Sequence, residues 1–317
     1  MMKQQEAMAL SRERTFVGLD VGGTKTALMV EKGGKILREA TFPSTPHIGE
    51  LKRAIESHVK SCGLKMEDVG ALAMGIPGRV DPDTGLVIDA PALGWKDFSL
   101  QQKLFSSLPI PCVAENDITM SLIAETTLGK ARGQSDVVFL AIGTGVGSAI
   151  LANGSILSGA AHSAGEIGYC IFDSDITPHF QNKDGCFGPL ESKISGKALE
   201  KAAGKLGATP QELFRAYPSG DPARDEIIDK FLTRLAVTIA NMTSILNPHL
   251  VVLGGGVSES LGGVLETIRE RVAACTPLPV RVEISSFYNR AGAIGACQRA
   301  RLLWEKEQTG GRMTAAV

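Results

Sequence analysis

The sequence predicts a mixed α/β protein made of two halves that repeat one another. Two observations carry that expectation. A strand, glycine turn, strand pattern occurs twice, as Leu19-Asp20-Val21-Gly22-Gly23-Thr24-Lys25-Thr26-Ala27-Leu28-Met29-Val30 and as Leu140-Ala141-Ile142-Gly143-Thr144-Gly145-Val146-Gly147-Ser148-Ala149-Ile150-Leu151, with Gly143 in register with Gly22. Strand and helix periods then alternate as βββαβα in the first half, and the second half repeats the opening.

The elements follow in order. Strand patterns run from Thr15 through Val30 and from Lys35 to Phe42, with Gly33-Gly34 as the turn between them. Leu51, Ala54, Ile55 and Val59 stand at helical spacing within Glu50 to Cys62. Val69 to Ile76 and Ile110 to Ala114 read as strands, and Asn116 to Gly129 as a helix with a polar start and a glycine stop. Val137 to Leu151 is the second hairpin, and Gly165 to Asp184 has no period. Helices are expected over Leu190 to Leu206, Pro210 to Tyr217, Ala223 to Leu246, Leu261 to Cys275 and Arg290 to Trp304. Strands are expected over Leu250 to Leu253 and Val280 to Ser285, with a disordered tail from Gln308.

At 317 residues the chain is long enough for two domains, and an apolar fraction of 44% suits a large core. The formal net charge of −1 gives no basic field for nucleic acid or a membrane surface. No apolar run reaches transmembrane length, and Met1 to Arg14 has no apolar signal core, so a cytosolic protein is expected. The 6 cysteines are scattered without a Cys-x-x-Cys pair, which argues against a disulfide framework.

The glycine turns suggest chemistry. Only glycine turns this tightly while bringing backbone N–H groups close to a bulky anion. Thr24 and Thr144 add hydroxyl donors, and Gly254-Gly255-Gly256 follows another apolar strand. A Walker loop does not fit, because Thr24 stands where lysine is required, and no Gly-x-Gly-x-x-Gly opens a helix. One such turn alone is an ordinary hairpin; two matched turns and a glycine triplet point to a polyphosphate.

The motifs Asp20-Val21-Gly22-Gly23-Thr24-Lys25, Gly75-Ile76-Pro77-Gly78-Arg79-Val80-Asp81, Glu115-Asn116-Asp117 and Ala164-Gly165-Glu166-Ile167-Gly168 resemble the ROK family of sugar kinases and sugar-responsive repressors. The resemblance runs from about Phe16 to about Arg299. It implies two duplicated ribonuclease H-like (actin-like ATPase) domains with a cleft between them: residues 1–117, completed by a C-terminal helix over 297–317, and residues 118–296. It implies an ATP-dependent phosphotransferase acting on a hexose, glucose first, with Mg²⁺, and a homodimer or homotetramer. Fructose, mannose and N-acetylhexosamines stay open as acceptors, polyphosphate as donor.

The chain departs from the family pattern in its loop. Tyr169 stands where the family carries histidine, and Asn182, Asp184 and Pro189 stand where it carries cysteines. That set would bind a structural zinc, which needs four soft or imidazole ligands, so no zinc is expected. Ala92 replaces an asparagine common in the family.

By the resemblance, Asp117 is the base that takes the proton of a sugar hydroxyl, a poor nucleophile at neutral pH. An aspartate opening a helix is also a common end residue, held by the dipole and free N–H groups. Gly78, Asn116, Asp117, Glu166, Tyr169 and Glu191 are the expected sugar contacts. Carboxylates and amides suit vicinal hydroxyls, and an unpaired buried polar group makes discrimination steep. Arg79 could reach sugar or phosphate, or pair with Asp81. Asp20 is expected to meet Mg²⁺ through water. Gly22, Gly23, Thr24, Lys25, Gly143, Thr144 and Gly145 would hold phosphates, with Gly254, Gly255 and Gly256 under adenosine. Two other readings are a repressor, which would need a DNA-binding domain ahead of the first hairpin, and a non-catalytic sugar sensor.

Overall fold

The computed structural model describes residue 7 and residues 10–310. The chain divides into two compact units: Met1–Leu128 with Ser158–Ser163 and Arg290–Val317, and Gly129–Leu157 with Ala164–Asn289.

In the first unit, β1 (Thr15–Val21), β2 (Lys25–Lys32) and β3 (Lys35–Pro43) form an antiparallel meander. The amphipathic helix α1 (Ile48–Ser61) buries Leu51, Ile55 and Val59. The fully buried β4 (Val69–Ile76) adds parallel to β1. Next comes a small antiparallel sheet of β5 (Arg79–Asp81), β6 (Leu86–Ala90) and β7 (Trp95–Ser99), with the short helix α2 (Leu100–Lys103). β8 (Cys112–Asn116) pairs parallel with β4 and runs straight into α3 (Asp117–Thr127). The main sheet is therefore ordered β3-β2-β1-β4-β8.

The second unit repeats that order. β9 (Val137–Ile142), β10 (Val146–Ala152) and β11 (Ser155–Ile156) form the meander. Past the loop stand α4 (Glu191–Ile194), α5 (Gly196–Gly204), α6 (Pro210–Ala216) and the long α7 (Pro222–Leu246). β12 (Leu250–Gly254), α8 (Leu265–Cys275) and β13 (Arg281–Ile284) complete it. The sheet runs β11-β10-β9-β12-β13, with β12 parallel to both neighbours. α9 (Ala291–Thr309) returns to the first unit and packs on α3. At that crossing, a Cβ on Gly295 would collide with the Met120 carbonyl. Each unit has its own apolar core.

Several expectations are corrected. The small β5–β7 sheet was not anticipated, because its strands are short and broken by Pro82, Pro91 and Gly94. The single helix expected over Leu190 to Leu206 is two, since Ser195 is extended and its side chain accepts from the Ala198 N–H. The helix expected from Leu261 starts at Leu265, behind a short turn through Gly262 and Gly263. The strand expected from Ile110 starts at Cys112, after Pro111, which has no N–H to give a ladder. Gln308 and Thr309, expected in a disordered tail, are helical, and residues 311–317 lie outside the described residues. No described helix is long and apolar enough to cross a membrane.

Candidate active site

In the first unit the groups gather at the carboxyl ends of β1, β4 and β8. Asn116 ends β8 and caps α3, its Oδ1 accepting from the N–H groups of Ile118 (2.9 Å) and Thr119 (3.1 Å). Its Nδ2 donates to the Gly78 carbonyl at 3.0 Å, which ties the cap to the loop after β4. A side chain at Gly78 would run into the Asp89 carbonyl and Ala90. Asp117 is the first residue of α3, and its Oδ1 accepts from the Ile118 N–H at 2.9 Å. Gly75 allows this close approach, since its Cβ would lie 3.2 Å from the Asp117 Cα.

Arg79 pairs with Asp89 at 3.8 Å rather than with Asp81, because the β5–β6 register sets Arg79 opposite Asp89. Asp81 instead accepts from the Thr84 hydroxyl and the Asp83 N–H.

Asp20 lies beside Gly75 in the sheet and faces the start of α9, where a Cβ on Gly292 would collide with its carboxylate. Desolvation pushes its carboxyl up to about 6. Its side chain stays partly accessible, and among the described residues no hydrogen bond or ion pair engages it. The turn that follows is exposed at Gly23, Thr24 and Lys25. Gly22 gives its N–H to the Lys25 carbonyl at 2.9 Å.

In the second unit, Gly143 gives its N–H to the Gly145 carbonyl (2.9 Å) and accepts from the Gly196 N–H (2.7 Å). The mouth of this turn is filled by the Glu191 carboxylate, whose Oε1 accepts from the Val146 N–H at 3.0 Å and whose Oε2 accepts from the Gly188 N–H at 3.2 Å. A side chain at Gly145 would collide with that Oε1. Tyr169 is tied to the same loop: its hydroxyl accepts from the Gly185 N–H (2.9 Å) and its carbonyl from Asn182 Nδ2 (2.7 Å). Burial, before other causes, raises its hydroxyl above the ordinary tyrosine value. Glu166 is exposed at the start of the turn that carries Tyr169.

In the glycine triplet at the end of β12, Gly254 is required by Phe139, whose ring a Cβ would strike, and Gly255 by a φ of 81° and the Ile142 backbone. Only Gly256 faces open space, and its N–H borders Gly143.

Two members of the surroundings escaped the sequence reading. Glu115 and Arg299 are buried, at 8% and 5% exposure. Burial pushes the Glu115 carboxyl up to about 7, against the pull of the Arg299 guanidinium. Glu115 stood inside a recognised motif, but nothing local pairs it with a residue of α9.

The model of the ROK family matches residues 16–302. The chain belongs to the ROK family. It is 30% identical to a glucokinase of Halalkalibacterium halodurans over 312 residues, covering 89% of this chain and 94% of that protein. It is also 30% identical to an N-acetyl-D-glucosamine kinase of Vibrio atlanticus over 260 residues, covering 77% and 84%. The crystal structure of a ROK family glucokinase from Streptomyces griseus in complex with glucose and AMPPNP superposes with a TM-score of 0.75 at 26% identity, covering 91% of this chain and 99% of that one. These relatives are sugar kinases, phosphotransferases with an alcohol acceptor, the enzyme class expected from the sequence. The mixed α/β architecture is that of the actin-like ATPase fold.

Proposed function

We propose that the protein is an ATP-dependent hexose kinase that phosphorylates glucose to glucose 6-phosphate. The observation that carries this reading is the end of β8, where Asn116 caps α3 and grips the Gly78 loop while Asp117 sits at the helix start. Backbone N–H groups hold both side chains, so a base is fixed in place before substrate arrives. Asp117 takes the hydroxyl proton; Asn116, Gly78, Glu166, Tyr169 and Glu191 receive the sugar. Gly22, Gly23, Thr24 and Lys25 hold phosphate oxygens, as do Gly143, Thr144 and Gly145, with Gly254, Gly255 and Gly256 under adenosine.

A cation fits Asp20. Its carboxylate is desolvated and lacks a counter-charge among the described residues, and Mg²⁺ keeps waters while taking one or two carboxylates. Bound there through water, Mg²⁺ would neutralise phosphate charge. The reading includes no zinc, a cytosolic setting and a homodimer or homotetramer.

The second reading is an N-acetylhexosamine kinase, favoured by the Vibrio atlanticus relative at 30% identity. A coupled assay over glucose, mannose, fructose and N-acetylhexosamines, with ATP or polyphosphate, separates the readings. Glucose with ATP is expected to give the highest kcat/KM. Turnover of no sugar with either donor overturns the kinase reading in favour of a sensor.

A further inference from the structure

The first glycine turn is held open from behind by a residue outside the glycine motif. Ser44 follows the end of β3. Its hydroxyl donates to the Gly22 carbonyl at 2.6 Å, and its N–H donates to the Thr24 carbonyl at 3.0 Å. A hydroxyl has one proton to give. With that proton on Gly22, the 2.9 Å contact between Ser44 Oγ and Thr26 Oγ1 has Thr26 as donor. Thr26 is fully buried. The segment is anchored on its far side too, where Trp95 Nε1 donates to the Pro46 carbonyl at 3.2 Å.

The consequence follows from the planar trans peptide, in which C=O and the next N–H point to opposite sides. Drawing the Gly22 carbonyl toward Ser44 turns the Gly23 N–H away from it. Drawing the Thr24 carbonyl toward the Ser44 N–H turns the Lys25 N–H away from Ser44. Among the described residues neither N–H has an acceptor, and the turn is exposed. A hairpin closing on itself would spend the Lys25 N–H on the Gly22 carbonyl; here that bond is not made, and the carbonyl accepts from Ser44.

We propose that Ser44 is a positioning residue for phosphate binding: by holding the Gly22 and Thr24 carbonyls, it presents the Gly23 and Lys25 N–H groups to phosphate oxygens. The proposal rests on the kinase reading for the identity of the phosphate donor, though not for the anion itself. Two donors two residues apart, each turned away from Ser44 and left without an acceptor among the described residues, can serve one anion. The second unit supplies the parallel. There the Gly143 carbonyl is drawn off by the Gly196 N–H, and the Val146 N–H holds a carboxylate.

The test is calorimetric titration of AMPPNP, tripolyphosphate and adenosine into wild type, Ser44→Ala and Ser44→Thr. Losing one positioning hydrogen bond should weaken AMPPNP and tripolyphosphate about fivefold to tenfold in Ser44→Ala. Adenosine, which has no phosphate, should bind unchanged, as should glucose. Ser44→Thr keeps the hydroxyl and should bind within about twofold of wild type. Circular dichroism and the thermal midpoint show that the variants are folded; if Ser44→Ala is not, Ser44→Cys, whose thiol is a weak donor, carries the same expected weakening of AMPPNP and tripolyphosphate with adenosine unchanged. Equal AMPPNP and tripolyphosphate affinities for wild type and Ser44→Ala would overturn the role of Ser44 and leave the kinase reading standing. Tripolyphosphate binding that depends on Ser44, without AMPPNP binding, would overturn the ATP reading and uphold Ser44. Equal weakening of adenosine and AMPPNP would reduce Ser44 to a structural residue and overturn the proposal.

Discussion

In the first unit Gly22 to Lys25 separate the last ladder pair, Val21 and Thr26; in the second only Gly143 to Gly145 separate Ile142 and Val146. The two turns share a sequence pattern and a place in the sheet, yet they are filled differently. The Val146 N–H is occupied by Glu191, a carboxylate of the same chain, whereas the Lys25 N–H has no acceptor among the described residues. The strand ends differ as well: Asp20 is the next-to-last residue of β1, where Ala141 occupies the same position in β9. At the far edge, β8 delivers Asn116 and Asp117 to a helix start, whereas the matching β13 ends at Ile284, followed by Ser285. One scaffold occurs twice, and the side chains at its turns and strand ends differ between the copies.

The largest effect should come from the residue with no counterpart at the end of β13. Asp117→Asn keeps the shape of the helix start and removes the base, so kcat should fall by about 10²–10⁴-fold with the sugar KM little changed. Steady-state assays measure both.

Next comes the buried pair beneath that helix. Arg299→Met leaves Glu115 buried without its counter-charge and should cost about 3–5 kcal/mol in urea unfolding at pH 8. The loss should shrink at pH 6. Burial already raises Glu115 to about 7, and removing the arginine raises it further, so the neutral acid forms there. A loss equal at both pH values would refute that account.

Asp20 separates stability from function. Its folded carboxyl is raised from the ordinary 3.8 to about 6. A raised acid holds its proton more tightly when folded, so its ionisation lowers stability as pH rises from about 4 to about 6. Asp20→Asn should therefore stabilise the protein at pH 7, by up to about 3 kcal/mol, and change little at pH 4. The same variant should lose turnover. Stability unchanged at pH 7 would contradict the burial argument.

The smallest effects compare the turns directly. Gly145→Ala displaces the Glu191 carboxylate and should cost about 1.5–3 kcal/mol through the lost charged hydrogen bond. Gly23→Ala meets only the Ala92 Cβ, at 3.1 Å, and should cost less than about 1 kcal/mol. Thermal midpoints of the two variants give the ranking, and reversal would mean that the first turn is the tighter one.

The duplication was legible because hydrophobic period and glycine spacing are local; the order of strands in each sheet is set by pairings between distant segments and was not. The helix start at Asn116 and Asp117 was legible as a local signal, a polar pair between a buried strand and an apolar helix. That pattern alone reads as a cap, and the base role of Asp117 comes from the family resemblance. Arg299 under Glu115 was not, because its partner is far along the chain. Ser44 was not either: a serine after a strand has no distinguishing pattern until the sheet sets it behind Gly22. The filling of the second turn by Glu191 likewise depends on the path of a loop without period.

A crystal structure with glucose and AMPPNP tests the central claim most directly. The account predicts the Asp117 carboxylate within hydrogen-bond distance of the glucose 6-hydroxyl, with that oxygen in line with the terminal phosphate. Glucose bound with its 6-hydroxyl away from Asp117 and beside another side chain would contradict it.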